Sequence, residues 1–143
     1  MYPTPRMPFE STSESGMLAV DTNVLVRLVA RDHADQVSAA EDFVGKGAWI
    51  SHLVLAETIW VLDSVYELSR AQIATAVEML LNHRDLTVQD TEVVSSALVH
   101  YRKRSTVAFS DCLVLEIARK AGHLPVGTFD RDFAKLGDVQ RLR

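Results

Sequence analysis

Four acidic residues, Asp21, Glu57, Asp111 and Asp130, occupy positions where polarity needs a reason. Asp21 follows the apolar run Leu18-Ala19-Val20 and precedes Val24-Leu25-Val26, the pattern of a strand ending as a helix begins. Asp21-Thr22-Asn23 also supplies good helix N-caps. Glu57 has Leu53, Val54, Trp60 and Val61 three and four places away, so the spacing predicts a carboxylate on an apolar helical stripe, which loses water unless a partner or a cation meets it. A glutamate at a cleft rim would show the same spacing. Asp111 opens the helical run Asp111-Cys112-Leu113-Val114-Leu115 as a first-turn acid, with Ser110 placed to cap it. Asp130 follows Pro125-Val126-Gly127-Thr128-Phe129 and precedes Arg131-Asp132-Phe133, again a strand end turning into a short helix.

Capping alone accounts for Asp21, Asp111 and Asp130, yet it also sets all three on the carboxyl edge of a sheet, where open α/β folds place their sites. If the helix bearing Glu57 packs across that edge, four carboxylates converge and repel one another. A hard divalent cation removes the conflict. Oxygen-only donors favour Mg²⁺ or Mn²⁺ over zinc, and one or two such ions can activate a water and stabilise the leaving oxygen of a phosphodiester.

The elements that must position these acids are legible as an alternation of short apolar runs with helix-period segments, which argues for crossover units around a parallel sheet. Strands are predicted at Leu18 to Val20, Ala48 to Ser51, Leu86 to Gln89, Pro125 to Thr128 and, more weakly, Val139 to Leu142. Helices are predicted near 22–30, 34–44, 52–67, 70–83, 91–104 and 111–121, with a short one near 131–136, and Gly122 and Gly137 fall at helix ends. The first 16 residues hold Pro3, Pro5, Pro8 and a Ser-Thr-Ser-Glu-Ser-Gly run, and read as a floppy extension before a single domain over 17–143. Met17 is a candidate start.

Composition limits the function classes. The 143 residues are 48% hydrophobic and 24% charged, enough for one domain with its own core. The single cysteine, Cys112, excludes a disulfide framework or a multi-thiolate zinc site. No apolar stretch reaches the roughly 18 residues of a membrane helix, and no secretion signal is evident, so the protein is expected to remain in the cytoplasm. The net charge is −4, and removing the first 16 residues leaves the balance acidic, so any nucleic-acid contact must be local.

Four segments, Ala19-Val20-Asp21-Thr22-Asn23-Val24-Leu25, Val54-Leu55-Ala56-Glu57, Phe109-Ser110-Asp111-Cys112-Leu113 and Thr128-Phe129-Asp130-Arg131-Asp132-Phe133, resemble in order and spacing the PIN-domain ribonucleases, and more narrowly the VapC toxins of type II toxin–antitoxin modules. The resemblance spans Met17 to the C-terminus. It implies a three-layer α/β/α sandwich around a parallel sheet of four to five strands, and a Mg²⁺-dependent (or Mn²⁺-dependent) endoribonuclease specific for single strands. Asp21, Glu57, Asp111 and Asp130 would form the acidic site, with Asp21 and Asp111 the firmest ligands. Asn23, Ser110 and Thr128 match polar positions that orient the acids or waters, and Asp132 is placed to assist or replace Asp130. The family more often has alanine on both sides of the third aspartate, where this chain has Ser110 and Cys112. A homodimer and a cognate antitoxin that covers the acidic cleft are implied as partners.

Other features have plainer readings. Tyr101-Arg102-Lys103-Arg104 is the one basic run, either a phosphate-contacting rim of Arg102, Lys103 and Arg104 or cations favoured at a helix C-terminus. The five histidines lack a short ligand spacing and read as surface or helix-end residues. Glu116 precedes Lys120 by four residues and reads as a surface pair, while Trp49, Trp60 and Tyr66, which could stack bases, lie in or beside predicted apolar faces and read first as core. The helices from 52 to 83 carry Ile59, Leu62, Val65, Ile73, Val77, Leu80 and Leu81, more apolar surface than one side of a small sheet needs, which suggests a partner face. The main competing function is an acidic-edged metal- or protein-binding module of the same fold that cleaves nothing. A haloacid-dehalogenase-type phosphatase would need a second aspartate at the position of Asn23, and a receiver domain a lysine after Pro125-Val126-Gly127-Thr128.

Overall fold

The computed structural model describes residues 16–143. Of the extension expected over 1–16, residues 1–15 lie outside the described residues. In chain order the elements are β1 (Leu18–Ala19), α1 (Thr22–Ala30), α2 (Ala34–Val44), β2 (Ala48–Ile50), α3 (His52–Ser64), α4 (Arg70–Asn82), β3 (Leu86–Val88), α5 (Thr91–Lys103), α6 (Phe109–Ala121), β4 (Val126–Thr128), a 3-10 turn (Phe133–Lys135) and β5 (Val139–Arg141). This is an α/β fold of parallel strands joined by helical crossovers.

Every strand pairing is parallel. Leu18 stands opposite Ala48 and Ala19 opposite Trp49, while Ala48, Trp49 and Ile50 face Leu86, Thr87 and Val88. Val126, Gly127 and Thr128 face Val139, Gln140 and Arg141. All five anticipated strands therefore exist, but hydrogen bonding divides them into a three-stranded sheet, β1-β2-β3, and a two-stranded one, β4-β5. In β2 and β3 the outer residues are buried and the central one exposed, so the apolar alternation sets which side faces the core.

Caps explain most boundaries. Ser51 accepts from the Val54 amide at the start of α3, Ser69 and Gln72 form a reciprocal capping box on α4, and Gly122 ends α6 at φ 86°, a left-handed conformation that costs a glycine little. His33 Nδ1 accepts from the Gln36 amide to cap α2, His52 bonds Gln89, and His83 Nδ1 accepts from the Asp85 amide, so these three histidines do hold helix-end roles. One cap differs from expectation. Helix α6 opens two residues early, at Phe109, on Ala108 with no side-chain cap, and Ser110 lies inside the first turn. The buried Phe109 ring meets Tyr101 edge-on at 5.6 Å and anchors that start by packing instead.

The core gathers Leu25, Ile50, Leu55, Leu62, Ile73, Val77, Leu80 and Leu115. Ile59, Leu62, Ile73, Val77 and Leu80, read above as surplus apolar surface, are thus consumed by the chain's own interior; of that set Val65 alone is largely exposed. The most extensive helix pair is α5 with α6, while α1 packs on α3 and α3 on α6. Those last two contacts carry the acids toward one another.

Candidate active site

Asp21 leaves β1 and caps α1. Its Oδ1 accepts from the Thr22 amide at 2.7 Å, and the Thr22 hydroxyl donates to Glu57 Oε1 at 2.8 Å. Thr22 thus bridges two acids that are 36 positions apart in the chain, counted from Asp21 to Glu57. Its neighbour Asn23, named above for such a role, is exposed and makes no side-chain hydrogen bond among the described residues. The signal for Thr22 in the sequence is a hydroxyl directly after a strand-end aspartate, a pattern that helix capping alone also explains.

Glu57 corrects the helical-wheel argument. The buried face of α3 is Leu55, Thr58, Ile59 and Leu62, whereas Leu53 and Trp60 are 70% and 65% exposed and Glu57 lies with them on the outer face. The stripe around Glu57 is apolar but points outward, so the carboxylate is a solvated cleft-rim group. Trp60 is correspondingly not a core residue, and Trp49 is 37% exposed.

Asp111 sits half-buried in the first turn of α6. Burial, and then the negative charge of Asp130, push its carboxyl above the ordinary aspartate range. No hydrogen bond or ion pair from its side chain relieves this among the described residues. Asp130 follows β4, and its Oδ1 accepts from the amides of Asp132 (2.8 Å) and Phe133 (3.2 Å), while its own amide donates to Thr128 Oγ1 at 3.0 Å. Thr128 therefore holds Asp130 through its backbone amide. Asp132 pairs with Lys135 at 3.4 Å, which leaves Asp130 as the acid facing Asp111. Ser110 is exposed and lines a cavity together with Glu57. Phe129, which the sequence reading passed over, is 74% exposed beside Asp130.

The four acids share one property. Asp90 and Glu92 both pair with Lys120, Asp138 with Arg119, Glu41 with Arg31 and Glu78 with Arg102, but Asp21, Glu57, Asp111 and Asp130, like Asp35, Asp42, Asp63 and Glu67, have no cationic partner among the described residues. They fall as two pairs, Asp21 with Glu57 through Thr22, and Asp111 with Asp130 through their charges. No group of three or more Asp, Glu, His or Cys residues forms a ready cage for a metal ion among the described residues. The donor chemistry still fits a hard cation: four carboxylates without cationic partners, one of them desolvated against another.

The PIN domain family matches residues 18–139. The chain belongs to the PIN domain family. A relative within reach of that PIN match is the VapC ribonuclease of Aquifex aeolicus, 30% identical over 127 residues that make up 85% of this chain and 93% of that protein. Among solved structures, the Mycobacterium tuberculosis toxin VapC20, described as cleaving the sarcin-ricin loop, aligns over 86% of this chain and 96% of its own at 20% identity and a TM-score of 0.38. The PIN match takes in every acid described above.

The remaining candidates lie on α5 and α6. Arg102, Lys103 and Arg104 are exposed at the end of α5, with Arg102 held by Glu78 at 3.2 Å. Glu116, by contrast, is not a surface partner of Lys120. It is buried in α6, where Oε2 meets His100 Nε2 at 2.7 Å and Arg119 Nε at 3.3 Å. Lys120 turns instead to Asp90 and Glu92.

Proposed function

We propose that this chain is a divalent-metal-dependent endoribonuclease that cuts single-stranded RNA, and that it acts as the VapC-type toxin of a toxin–antitoxin pair. The observation that carries the reading is a pair of acids in a PIN-family chain, Asp21 at the end of β1 and Glu57 on α3, joined through the Thr22 hydroxyl and without cationic partners among the described residues, beside a half-buried Asp111 that feels the charge of Asp130. Asp21 and Asp111 are the first choice to hold Mg²⁺ or Mn²⁺, completed by Glu57 and Asp130. Such an ion, when bound, supplies water activation and charge neutralisation at a phosphodiester. Thr22 fixes the Glu57 carboxylate, and Thr128 and the amides of Asp132 and Phe133 fix Asp130. Water attacks phosphorus in line, a neighbouring carboxylate takes its proton, and the 3′-oxygen leaves. The working partners are an RNA, a second copy of the chain and an antitoxin, and the working compartment is the cytoplasm; no helix among the described residues is long and apolar enough to cross a membrane.

The absence of a ready three-ligand cage among the described residues favours the competing reading, a fold that binds without cutting. One experiment separates them: purified protein with a structured RNA mixture in Mg²⁺ or Mn²⁺, against EDTA and Asp21→Asn, with ends mapped by sequencing. Metal-dependent cuts abolished by the substitution support the nuclease. A folded protein that binds the ion and cuts nothing in a broad pool refutes it.

A further inference from the structure

Beside the acidic edge a cavity of about 400 Å³ opens where α3, α4 and α6 meet, and its walls include Glu57, Trp60, Asp63, Arg70, Phe109 and Ser110. Its size is that of a small-ligand site. Trp60 stands one turn beyond Glu57 on α3 and is 65% exposed among the described residues, a large aromatic face open to a ligand. Arg70 is held in place: Nη2 donates to the carbonyl oxygens of Tyr101 (2.7 Å) and Arg104 (2.8 Å), and the guanidinium lies 3.8 Å over the Tyr101 ring. No carboxylate pairs with Arg70 among the described residues, so its Nε and Nη1 donors remain uncommitted there. Asp63, one turn past Trp60, makes no hydrogen bond or ion pair among the described residues. A stacking face, a fixed guanidinium with single N–H donors on two separate edges, and a free acceptor therefore border a single cavity, which Glu57 and Ser110 join to the acidic edge.

These groups match an unpaired nucleobase. Aromatic faces stack any base of a single strand, while a single arginine N–H, from Nε or Nη1, donates to the O6 acceptor of guanine. A carboxylate accepts from the N1–H and N2 amino donors on guanine's other edge, which are free only when the base is unpaired. Adenine sets a donor against the arginine and an acceptor against the carboxylate. A second groove of about 440 Å³ shares Arg70 and Tyr101 with the first and runs on to Arg102 and Ser105, a path for the sugar–phosphate chain toward the basic run.

We propose that this cavity is a base-recognition subsite in which a guanine next to the scissile phosphate stacks on Trp60 between Arg70 and Asp63. The proposal rests on the ribonuclease reading and names its base preference. It is tested on the full chain carrying Asp21→Asn and Trp49→Phe, which leaves Trp60 the sole tryptophan, titrated with uridine hexamers bearing one central G, A or C while tryptophan emission is followed. Saturable quenching is expected, with the G oligomer bound about tenfold or more tighter than the A oligomer. Asp63→Asn, at an exposed residue without bonds to lose, should erase that preference. By anisotropy of a labelled oligomer, Trp60→Ala should weaken every oligomer roughly fivefold or more while Trp60→Phe retains most of the affinity.

Equal affinity for all three oligomers, or emission indifferent to RNA, overturns the proposal. So does an emission that changes with protein concentration alone together with loss of a dimer in Trp60→Ala, which would give this face to a second copy. Cleavage by the wild type with no base preference sinks the subsite and leaves the nuclease standing. Guanine-selective quenching without cleavage in any divalent cation does the reverse.

Discussion

The buried carboxylate of Glu116 offers a prediction that separates what holds α6 in place from what α6 does. Its side chain is 8% exposed, and a single oxygen meets both His100 on α5 and Arg119 one turn along α6. Truncation in Glu116→Ala leaves His100 without that partner, whereas Arg119, 40% exposed, keeps Asp138 at 2.8 Å and rehydrates. Most of the loss therefore comes from the His100 bond and from the removed methylenes. A hydrogen bond involving a charged group contributes about 1.5–3 kcal/mol and a buried methylene about 0.8 kcal/mol, which places Glu116→Ala near 2–4 kcal/mol. For a domain of this size each kcal/mol moves the midpoint by about 4 °C, so a fall of roughly 8–15 °C is expected. Glu116→Gln, which keeps volume and an acceptor, should lose about half as much or less. The assay is urea and thermal unfolding in EDTA, with RNA cleavage measured at 25 °C on the folded variant. Activity per folded molecule should match the parent, because Glu116 lies outside the acidic edge. A stability loss below about 0.5 kcal/mol for Glu116→Ala would mean that desolvating the carboxylate cancels its bonds, and the reasoning would be wrong.

Three further outcomes follow from the same geometry. Asp111→Asn should raise the melting temperature in EDTA at neutral pH. A carboxyl whose folded pKa is raised stabilises the fold below its unfolded value of 3.8, and that contribution disappears as pH climbs through the folded pKa. Added Mg²⁺ should stabilise the parent and not this variant, by thermal shift. Thr22→Val removes the hydroxyl that holds Glu57 while leaving the Asp21 cap on the backbone, so kcat should fall about tenfold with stability changed by less than about 1 kcal/mol; an unchanged kcat would dismiss Thr22 as a positioning residue. Burial pushes the Cys112 thiol from 9.0 to about 11, so it should resist alkylation at pH 8 in the folded state. Because the unfolded thiol ionises first, stability should decline as pH rises from 9 toward 11, and Cys112→Ala should lack that component of the slope.

Much of the frame was readable from the chain because local signals agree with it. Helices α1 and α2 match the periodicity to the residue, and α3 and α4 begin at the residues where it starts, 52 and 70. What failed shares one cause: a property fixed by a distant neighbour. Helix α3 is apolar nearly all round, with Leu53, Val54, Leu55, Ile59, Trp60, Val61 and Leu62, so its own residues define two possible inner faces. The packing of α1 and α6 selects the one opposite Glu57. Glu116 and His100 lie 16 positions apart, beyond any periodic rule, and the nearer Lys120 was the false partner. The α6 start carries no capping side chain to read. Strands of two and three residues show where a ladder runs but not where it breaks.

That break sets an order in time. Asp21, Glu57 and Asp111 belong to the part of the chain that precedes β4, whereas Asp130 hangs from the separate β4-β5 ladder at the extreme C-terminal end. Chains fold from the N-terminus as they are synthesised. A nascent chain that has not yet passed β4 therefore carries three of the four acids and lacks the ladder that holds the fourth.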